Sequence, residues 1–296
     1  MELPATTETM PIPFPDEKYI SPFRPDLLKG RTALVTGGTR GIGFATAKAL
    51  LAAGGNVVIT GRNIDVVNRR IDDLAQSCIS AEATRIGGIS LEMKDVASFR
   101  EKWAEANALP CCGTHGIDIL VNNAGILNFA RFGSTFPEDF DDVMQTNLRG
   151  AYFLSQCASE DWITRGENGK KRNRNILVVC SSSSLRPANS PYNLAKWALR
   201  GLVPGMAKTL APFGIVVNGI APGPTATDAF LGANNKGSLA RPRMPGGRLI
   251  AESEVANLAV VLVSPLGRMV LGSILYVTAG CGNLTQDDCR FTFGNS

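Results

Sequence analysis

The chain has 296 residues, of which 44% are hydrophobic and 19% are charged, so we expect one domain with a large core and some appendages. Thirty Lys and Arg residues against 26 Asp and Glu residues give a formal charge of +4, too weak a bias to indicate a nucleic-acid partner, and favour a small molecule. Seven irregularly spaced cysteines and one histidine, His115, exclude a His-clustered metal site; we expect reduced thiols, no metal, and a loop position for His115.

The first 30 residues carry six of the 17 prolines and are expected to form an extended arm without a core of its own. They lack the charged-then-apolar layout of a signal peptide, and no apolar run approaches the ~20 residues of a membrane span. We therefore expect a cytoplasmic protein with an arm at 1–30, one domain at 31–284 and a C-terminal tail at 285–296.

From residue 31 onward, short β-branched runs alternate with longer helical patterns. Strands are predicted at 32–36, 56–60, 85–90, 117–122, 175–181, 214–220 and 273–278. Helices are predicted at 42–53, 64–77, 95–107, 137–165, 191–211 and 252–262. Strands this apolar are covered on both faces, so we predict a single-domain, doubly wound α/β fold of the Rossmann type, with about seven parallel strands. In such a sheet, ligands bind beyond the carboxyl ends of the strands.

The first predicted strand is followed by TGGTRGIG and an Ala-rich helix. Its glycines allow a tight turn, and the helix N-terminus offers free N–H groups to a pyrophosphate; the alternative is a glycine-rich turn that binds nothing. The spacing is GxxxGxG, and the form TGxxxGIG resembles the short-chain dehydrogenase/reductase family. That resemblance implies cofactor contacts from Thr36, Gly37, Thr39, Arg40, Gly41, Ile42 and Gly43.

The end of the second predicted strand bears on the choice of nicotinamide cofactor. An acidic residue there would bind the adenosine ribose 2′-hydroxyl, but Gly61 stands at that place and is followed by Arg62. Together with Arg40, this favours NADP(H) over NAD(H), although Arg62 taken alone could be a solvated loop charge. The family resemblance adds further cofactor contacts, including NNAG and a PG segment: Asn63, Glu92, Met93, Asn123, Ala124, Gly125, Pro222, Gly223, Thr225 and Thr227.

After the fifth predicted strand the chain reads SSSSLRPANSPYNLAK, which places Tyr192 and Lys196 one helical turn apart. This is the YxxxK pair of the family. The resemblance implies that Tyr192 is a general acid/base, that Lys196 lowers its pKa and binds the cofactor ribose, and that a serine orients the carbonyl. Thirteen residues before the Tyr, where the family usually has that serine, stands Val179.

Counting from the strand end instead selects Ser182 as the catalytic serine, with Ser181 and Ser183 as alternatives. Asn147 in MQTNLRG matches the family's helix asparagine, which holds a water beside the Lys and completes a proton relay. Arg131 and Arg186 near the predicted pocket favour a substrate with an acidic group, unless they are surface arginines. The segment at about 224–250 resembles the family's mobile substrate lid.

The resemblance therefore implies an NADPH-dependent oxidoreductase that transfers hydride between nicotinamide and a carbonyl or secondary alcohol of a small molecule. Two alternatives stay open: an epimerase or enoyl reductase of the same family, and a non-catalytic NADP-binding scaffold. Because family members usually form subunit contacts through the helix at 191–211, a homodimer or homotetramer is expected.

Overall fold

A computed structural model of the chain describes residues 21–77, 83–128, 130–166, 173–227, 239, 241 and 244–282. Seven strands form one sheet: β1 Thr32–Val35, β2 Asn56–Gly61, β3 Ile86–Ser90, β4 Ile119–Asn122, β5 Arg174–Val179, β6 Ile215–Pro222 and β7 Ile274–Val277. Side by side they run β3, β2, β1, β4, β5, β6, β7, and every neighbouring pair is parallel. The predicted parallel sheet is confirmed.

Among the described residues, seven α-helices accompany the strands: α1 Gly41–Ala52, α2 Ile64–Ser77, α3 Phe99–Asn107, α4 Pro137–Val143, α5 Gly150–Thr164, α6 Pro191–Leu210 and α7 Glu252–Val263. One face of the sheet packs on α1, α2 and α7, and the other face packs on α3, α5 and α6. The apolar strands are therefore covered on both sides, as a doubly wound fold requires. The strand order reverses between β1 and β4, which is where this type of sheet leaves a crevice for ligands.

One predicted helix differs from the structure. The range 137–165 is not a single α-helix, because α4 and α5 are separated by a π-helical segment, Met144–Arg149. The side chain of Asn147 points out of this segment and bonds to the loop after β4, at Ile126. A π-helical turn keeps the apolar pattern of its neighbours, so hydrophobic periodicity does not reveal it, and such turns are frequent at functional sites.

The last ten residues of the predicted arm contact the sheet domain. Residues 21–30 pack on the end of α1: Leu28 is only 1% exposed, and its backbone N–H donates to the carbonyl of Ala53 at 2.8 Å. Residues 1–20 of the predicted arm lie outside the described residues, as do the tail at 285–296 and residues 228–238 of the predicted lid. No helix within the described ranges is long and apolar enough to cross a membrane.

Candidate active site

The glycine loop after β1 and the loop after β4 are joined by one side chain. The amide nitrogen of Asn123 donates to the carbonyls of Thr36 at 2.9 Å and Gly37 at 3.2 Å. A Cβ atom on Gly43 would lie 2.3 Å from that amide nitrogen and 2.4 Å from the Gly37 oxygen. The loop is thus a close-fitting cradle at the N-terminus of α1, and its open face suits a pyrophosphate.

Thr36, which is predicted to contact a cofactor, lies beneath the two loops. It is fully buried and does not line the cleft; its hydroxyl donates to the Val121 carbonyl at 3.2 Å. The same oxygen accepts the backbone N–H groups of Asn123 at 2.9 Å and Ala124 at 3.0 Å. Thr36 therefore braces the two loops from below, and its predicted contact with a cofactor stays a prediction.

A cleft of about 480 Å³ runs along this cradle and across the ends of β2, β3 and β4. Most of the predicted cofactor residues line it: Gly37, Thr39, Arg40, Gly41, Ile42, Gly43, Gly61, Arg62, Asn63, Glu92, Met93, Asn123, Ala124, Gly125 and Thr227. Its size and its mixed lining of backbone, arginine and apolar groups are suitable for an elongated anionic ligand. A dinucleotide therefore fits the residues that are present.

At the β2 end of the cleft, Arg40 and Arg62 are exposed to solvent. A Cβ on Gly61 would lie 2.9 Å from the Cγ2 atom of Thr39, so a larger residue there would have to displace the Thr39 side chain. Asn63 uses its side-chain oxygen to cap α2, accepting the N–H groups of the residues at 65 and 66. This end of the cleft thus carries two cations and no carboxylate on the strand end.

A smaller cavity of about 180 Å³ opens beyond the ends of β5 and β6. It contains the predicted residues Tyr192, Lys196, Pro222, Gly223 and Thr225. Six residues line both cavities, namely Ile42, Asn123, Gly125, Ile126, Leu127 and Thr227. The two spaces are therefore neighbours, and a ligand along the glycine loop can reach the Tyr and Lys.

The Tyr and Lys lie on the first turns of α6, which begins with Pro191 and is capped by the hydroxyl of Ser190. The Lys196 ammonium donates to the Val179 carbonyl at 2.7 Å and lies 5.7 Å from the centroid of the Tyr192 ring. Burial lowers the pKa of Lys196 to about 8. Burial also raises the pKa of Tyr192, and a hydrogen bond from Ser181 opposes that rise.

The serine beside Tyr192 is Ser181. The count from the strand end favours Ser182 as the catalytic serine and gives Ser181 as an alternative. The Ser182 side chain lies towards Gly282: a Cβ atom added to Gly282 would be 3.6 Å from the Cβ atom of Ser182. The side-chain oxygen of Ser181 accepts two hydrogen bonds from Ser183, one from its backbone N–H at 3.1 Å and one from its hydroxyl at 2.7 Å. With both lone pairs occupied, the Ser181 hydroxyl has its proton left to donate.

Asn147 is 1% exposed and binds the backbone of Ile126 with both ends of its side chain. Its oxygen accepts the Ile126 N–H at 2.8 Å, and its nitrogen donates to the Ile126 carbonyl at 2.9 Å. The side chain is therefore committed to fixing a loop that lines both cavities. Its predicted part in a proton relay stays a prediction.

Several lining residues were not predicted, among them Leu91, Ile126, Thr146 and Cys180. Leu91 and Cys180 directly follow β3 and β5, so the rule that ligands bind at strand ends could have indicated them. Burial raises the pKa of the Cys180 thiol to about 11, with Lys196 opposing the rise, so it is a neutral group at pH 7. Thr146 lies in the π-helical segment and has no sequence signal.

The other predicted site features have these positions. His115 lies in an exposed turn before β4, at the opposite edge of the sheet from the Tyr and Lys, which confirms its loop position. Arg131 is exposed, and its carbonyl accepts the hydroxyls of residues 134 and 135. The Nε atom of Arg186 is buried and has no hydrogen-bond partner among the described residues. Within those same ranges, no group of three or more His, Cys, Asp or Glu side chains could hold a metal.

Comparison with known proteins gives consistent matches over most of the chain. The model of a family described as enoyl-(acyl carrier protein) reductase matches residues 37–282. Gluconate 5-dehydrogenase of Gluconobacter oxydans (strain 621H) is 35% identical, covering 86% of this chain and 97% of that protein. The 3-oxoacyl-(acyl-carrier-protein) reductase of Aquifex aeolicus (strain VF5) is 32% identical, covering 86% and 98%. A crystal structure of a short chain dehydrogenase from Burkholderia cenocepacia J2315 in complex with NADP has a TM-score of 0.71 at 29% identity, covering 86% and 98%.

Proposed function

The chain belongs to the short-chain dehydrogenase/reductase family of oxidoreductases, and we propose that it uses NADP(H) to interconvert a carbonyl and a secondary alcohol on a small molecule. The observation that carries the proposal is the pairing of Ser181 with Tyr192 beside Lys196, in a cavity that adjoins the dinucleotide cleft. A scaffold that only binds a dinucleotide has no need of this polar group beyond the cleft.

The reduced dinucleotide, when bound along the glycine loop, supplies the hydride. The chain's own residues supply the proton and hold the carbonyl. Tyr192 donates its phenolic proton to the carbonyl oxygen, and Ser181 donates a hydrogen bond to the same oxygen as negative charge develops there. Lys196, held by the Val179 carbonyl, keeps a positive charge close to the tyrosine that is left as phenolate.

The cofactor preference is proposed from the β2 end of the cleft. Arg40 and Arg62 are both solvent-exposed there and can bind a 2′-phosphate, while Gly61 places no carboxylate at the end of β2 to repel one. The direct test of the proposed function is the oxidation of NADPH, followed by its absorbance, with a carbonyl compound present. Turnover with NADPH well above that with NADH supports the proposal. If no carbonyl compound accelerates NADPH oxidation, or if NADH serves better, the proposal is wrong.

The proposed substrate carries an acidic group. Arg131, which is exposed in the loop after β4, can supply a charge for such a group, whereas Arg186 lines neither cavity and its buried Nε atom lies on the side of Ser182 and Gly282. One relative is named for gluconate, which is itself a sugar acid. A panel should pair a keto sugar acid with its neutral keto sugar and include a 3-oxoacyl thioester and an enoyl thioester. Faster reduction of the keto sugar acid than of the neutral keto sugar supports an acidic substrate. Reduction of the enoyl thioester alone would show that the protein is an enoyl reductase and not a carbonyl reductase.

A pH dependence follows from the burial of Lys196. Because burial lowers its pKa from 10.5 to about 8, the ammonium form is lost as pH rises through 8. We expect kcat/KM for carbonyl reduction to fall above about pH 8, since this parameter reports groups of the free enzyme. In the Lys196→Arg variant any remaining activity should lack that decline, because a guanidinium stays charged. A wild-type profile that is flat from pH 7 to 10 would contradict this role.

The lowered pKa of Lys196 also makes the free energy of unfolding depend on pH. Between pH 8 and 10.5 the unfolded chain binds more protons at Lys196 than the folded chain does. The contribution of this residue to the free energy of unfolding therefore rises with pH across that window.

The three neighbouring serines can be told apart by substitution. Ser181→Ala should lower kcat for carbonyl reduction by about 100-fold, because the hydrogen bond to the developing oxyanion is lost. Ser182→Ala should stay close to wild type, since that side chain lies towards Gly282. Ser183→Ala should have an intermediate effect through the loss of its hydroxyl contact to Ser181. A larger loss from Ser182→Ala than from Ser181→Ala would show that the serine assignment is wrong.

We also propose that the chain forms homo-oligomers through α5 and α6. A shallow apolar groove lies between these helices and the π-helical segment, and large side chains beside it are exposed: Tyr152 at 47%, Phe153 at 40%, Leu194 at 43% and Trp197 at 42%. Sedimentation velocity should give a dimer or tetramer, and Phe153→Asp should dissociate it. Phe213→Asp, at a 52% exposed residue after α6, is the control and should not. A wild-type monomer would contradict this proposal.

A further inference from the structure

Arg70 on α2 contacts the glycine loop from outside the cleft. Its Nε atom donates to the Thr39 carbonyl at 2.8 Å, and its guanidinium carbon lies 4.1 Å from the centroid of the Phe44 ring on α1. A second guanidinium nitrogen pairs with the Asp73 carboxylate at 2.6 Å. The planar group is thus held by a carbonyl, an aromatic face and a carboxylate at once, which fixes its orientation.

The residue that Arg70 holds is the one that shapes the end of the cleft. The Cγ2 atom of Thr39 would be 2.9 Å from a Cβ on Gly61, so Thr39 occupies the space beside the end of β2. Arg40 follows Thr39 directly in the chain and is solvent-exposed in the cleft. If the Thr39 carbonyl moved, the Thr39 side chain beside Gly61 and the neighbouring Arg40 would therefore move with it.

We propose that Arg70 is a positioning residue that selects the dinucleotide bearing a 2′-phosphate. It acts by holding Thr39 in place, which in turn sets the direction of Arg40 and keeps the Thr39 side chain beside Gly61. Its own charge is already paired with Asp73, so geometry is its contribution. The inference rests on the proposed use of NADP(H) and adds a residue that does not itself line the cleft.

The experiment measures equilibrium dissociation constants for NADPH and for NADH by dinucleotide fluorescence, so it requires no substrate and no turnover. Arg70→Ala should weaken NADPH binding by about tenfold and NADH binding by less than about twofold, the size expected for one charge-assisted hydrogen bond. Arg70→Lys should lose nearly as much, because an ammonium cannot stack on Phe44 and donate to Thr39 with the same geometry. Arg62→Ala serves as the positive control and should remove most of the NADPH preference.

Two matched variants separate positioning from charge. Arg69→Ala removes the same charge from the adjacent, exposed position and should change neither constant by more than about twofold. Asp73→Asn removes the charge that pairs with Arg70 but keeps a side-chain oxygen that can accept its hydrogen bond. A role through charge alone predicts tighter NADPH binding by this variant, whereas positioning predicts little change. Thermal unfolding of each variant checks that the fold is retained.

The outcomes are distinct. An NADPH preference that Arg70→Ala and Arg70→Lys leave intact would overturn this inference and spare the proposed function. An equal loss from Arg69→Ala would also overturn it, because net charge would then be the cause. A wild-type protein with no preference for NADPH would overturn the proposed cofactor and this inference together.

Discussion

Replacement of Tyr192 by Phe should lower kcat for carbonyl reduction by roughly 1,000-fold, within the range that positioned proton donors contribute. The phenol lies beside Ser181 in the catalytic cavity, and Phe keeps the ring while removing the proton. Binding of NADPH should change by less than about twofold, since the glycine loop and its cleft are untouched. Steady-state rates and fluorescence titrations would measure the two effects separately.

The fold should survive this change. The Ser181 hydroxyl keeps its two contacts to Ser183 when the phenol is removed, so no buried group at that oxygen loses all its partners. Tyr276→Phe is the matched control, because it removes the same hydroxyl from a partly buried side chain on β7 that lines neither cavity. Substantial reduction by the Tyr192→Phe variant would rule out the assigned acid and reopen the scaffold alternative.

Gly43→Ala should abolish dinucleotide binding, with a dissociation constant raised at least about 100-fold. The new Cβ would lie 2.3 Å from the amide nitrogen of Asn123 and 2.4 Å from the carbonyl oxygen of Gly37. Neither neighbour can move freely, because one is backbone and the other is tied to the Thr36 carbonyl. The variant should also unfold at lower temperature, since forced overpacking costs about 1–3 kcal/mol.

The control for this variant is Gly205→Ala on α6. That glycine is helical, and an added Cβ meets nothing within 4 Å, so the change should raise the free energy of unfolding by about 0.5–1 kcal/mol. Calorimetry gives both melting temperatures, and titration gives both affinities. If Gly43→Ala bound NADPH as tightly as wild type, the cradle at the N-terminus of α1 would not be the dinucleotide site.

The sheet was predictable because its signals are local. Buried parallel strands are continuous apolar runs, and each of the seven predicted strands overlaps an observed one, with ends that differ by no more than two residues. The glycine cradle was predictable for the same reason, since tight turns and close approaches restrict residue type. Helical spacing places Tyr192 and Lys196 on one face of the helix after β5, and the resemblance to the family singles out this pair.

The other features of the site depend on the directions of side chains and on contacts between distant parts of the chain, which the sequence pattern does not show. Successive residues at a strand end point to opposite sides, so a count along the chain could not decide between Ser181 and Ser182. The inward direction of the Thr36 side chain is set by the loop around Asn123, far along the sequence. The bond from Arg70 to Thr39 joins residues 31 apart, with no shared motif to indicate it.

The bond between Lys196 and the Val179 carbonyl has an evolutionary consequence. It ties the first turns of α6, which carry Tyr192 and Lys196, directly to the end of β5, so this pair does not depend on the connecting loop alone for its position. That loop is shorter here than the family's usual spacing, and the Arg200 guanidinium fixes its start by donating to Ser184 at 3.0 Å. Insertions and deletions between Ser184 and Ser190 can therefore accumulate under selection for new substrates while the inherited chemistry is preserved.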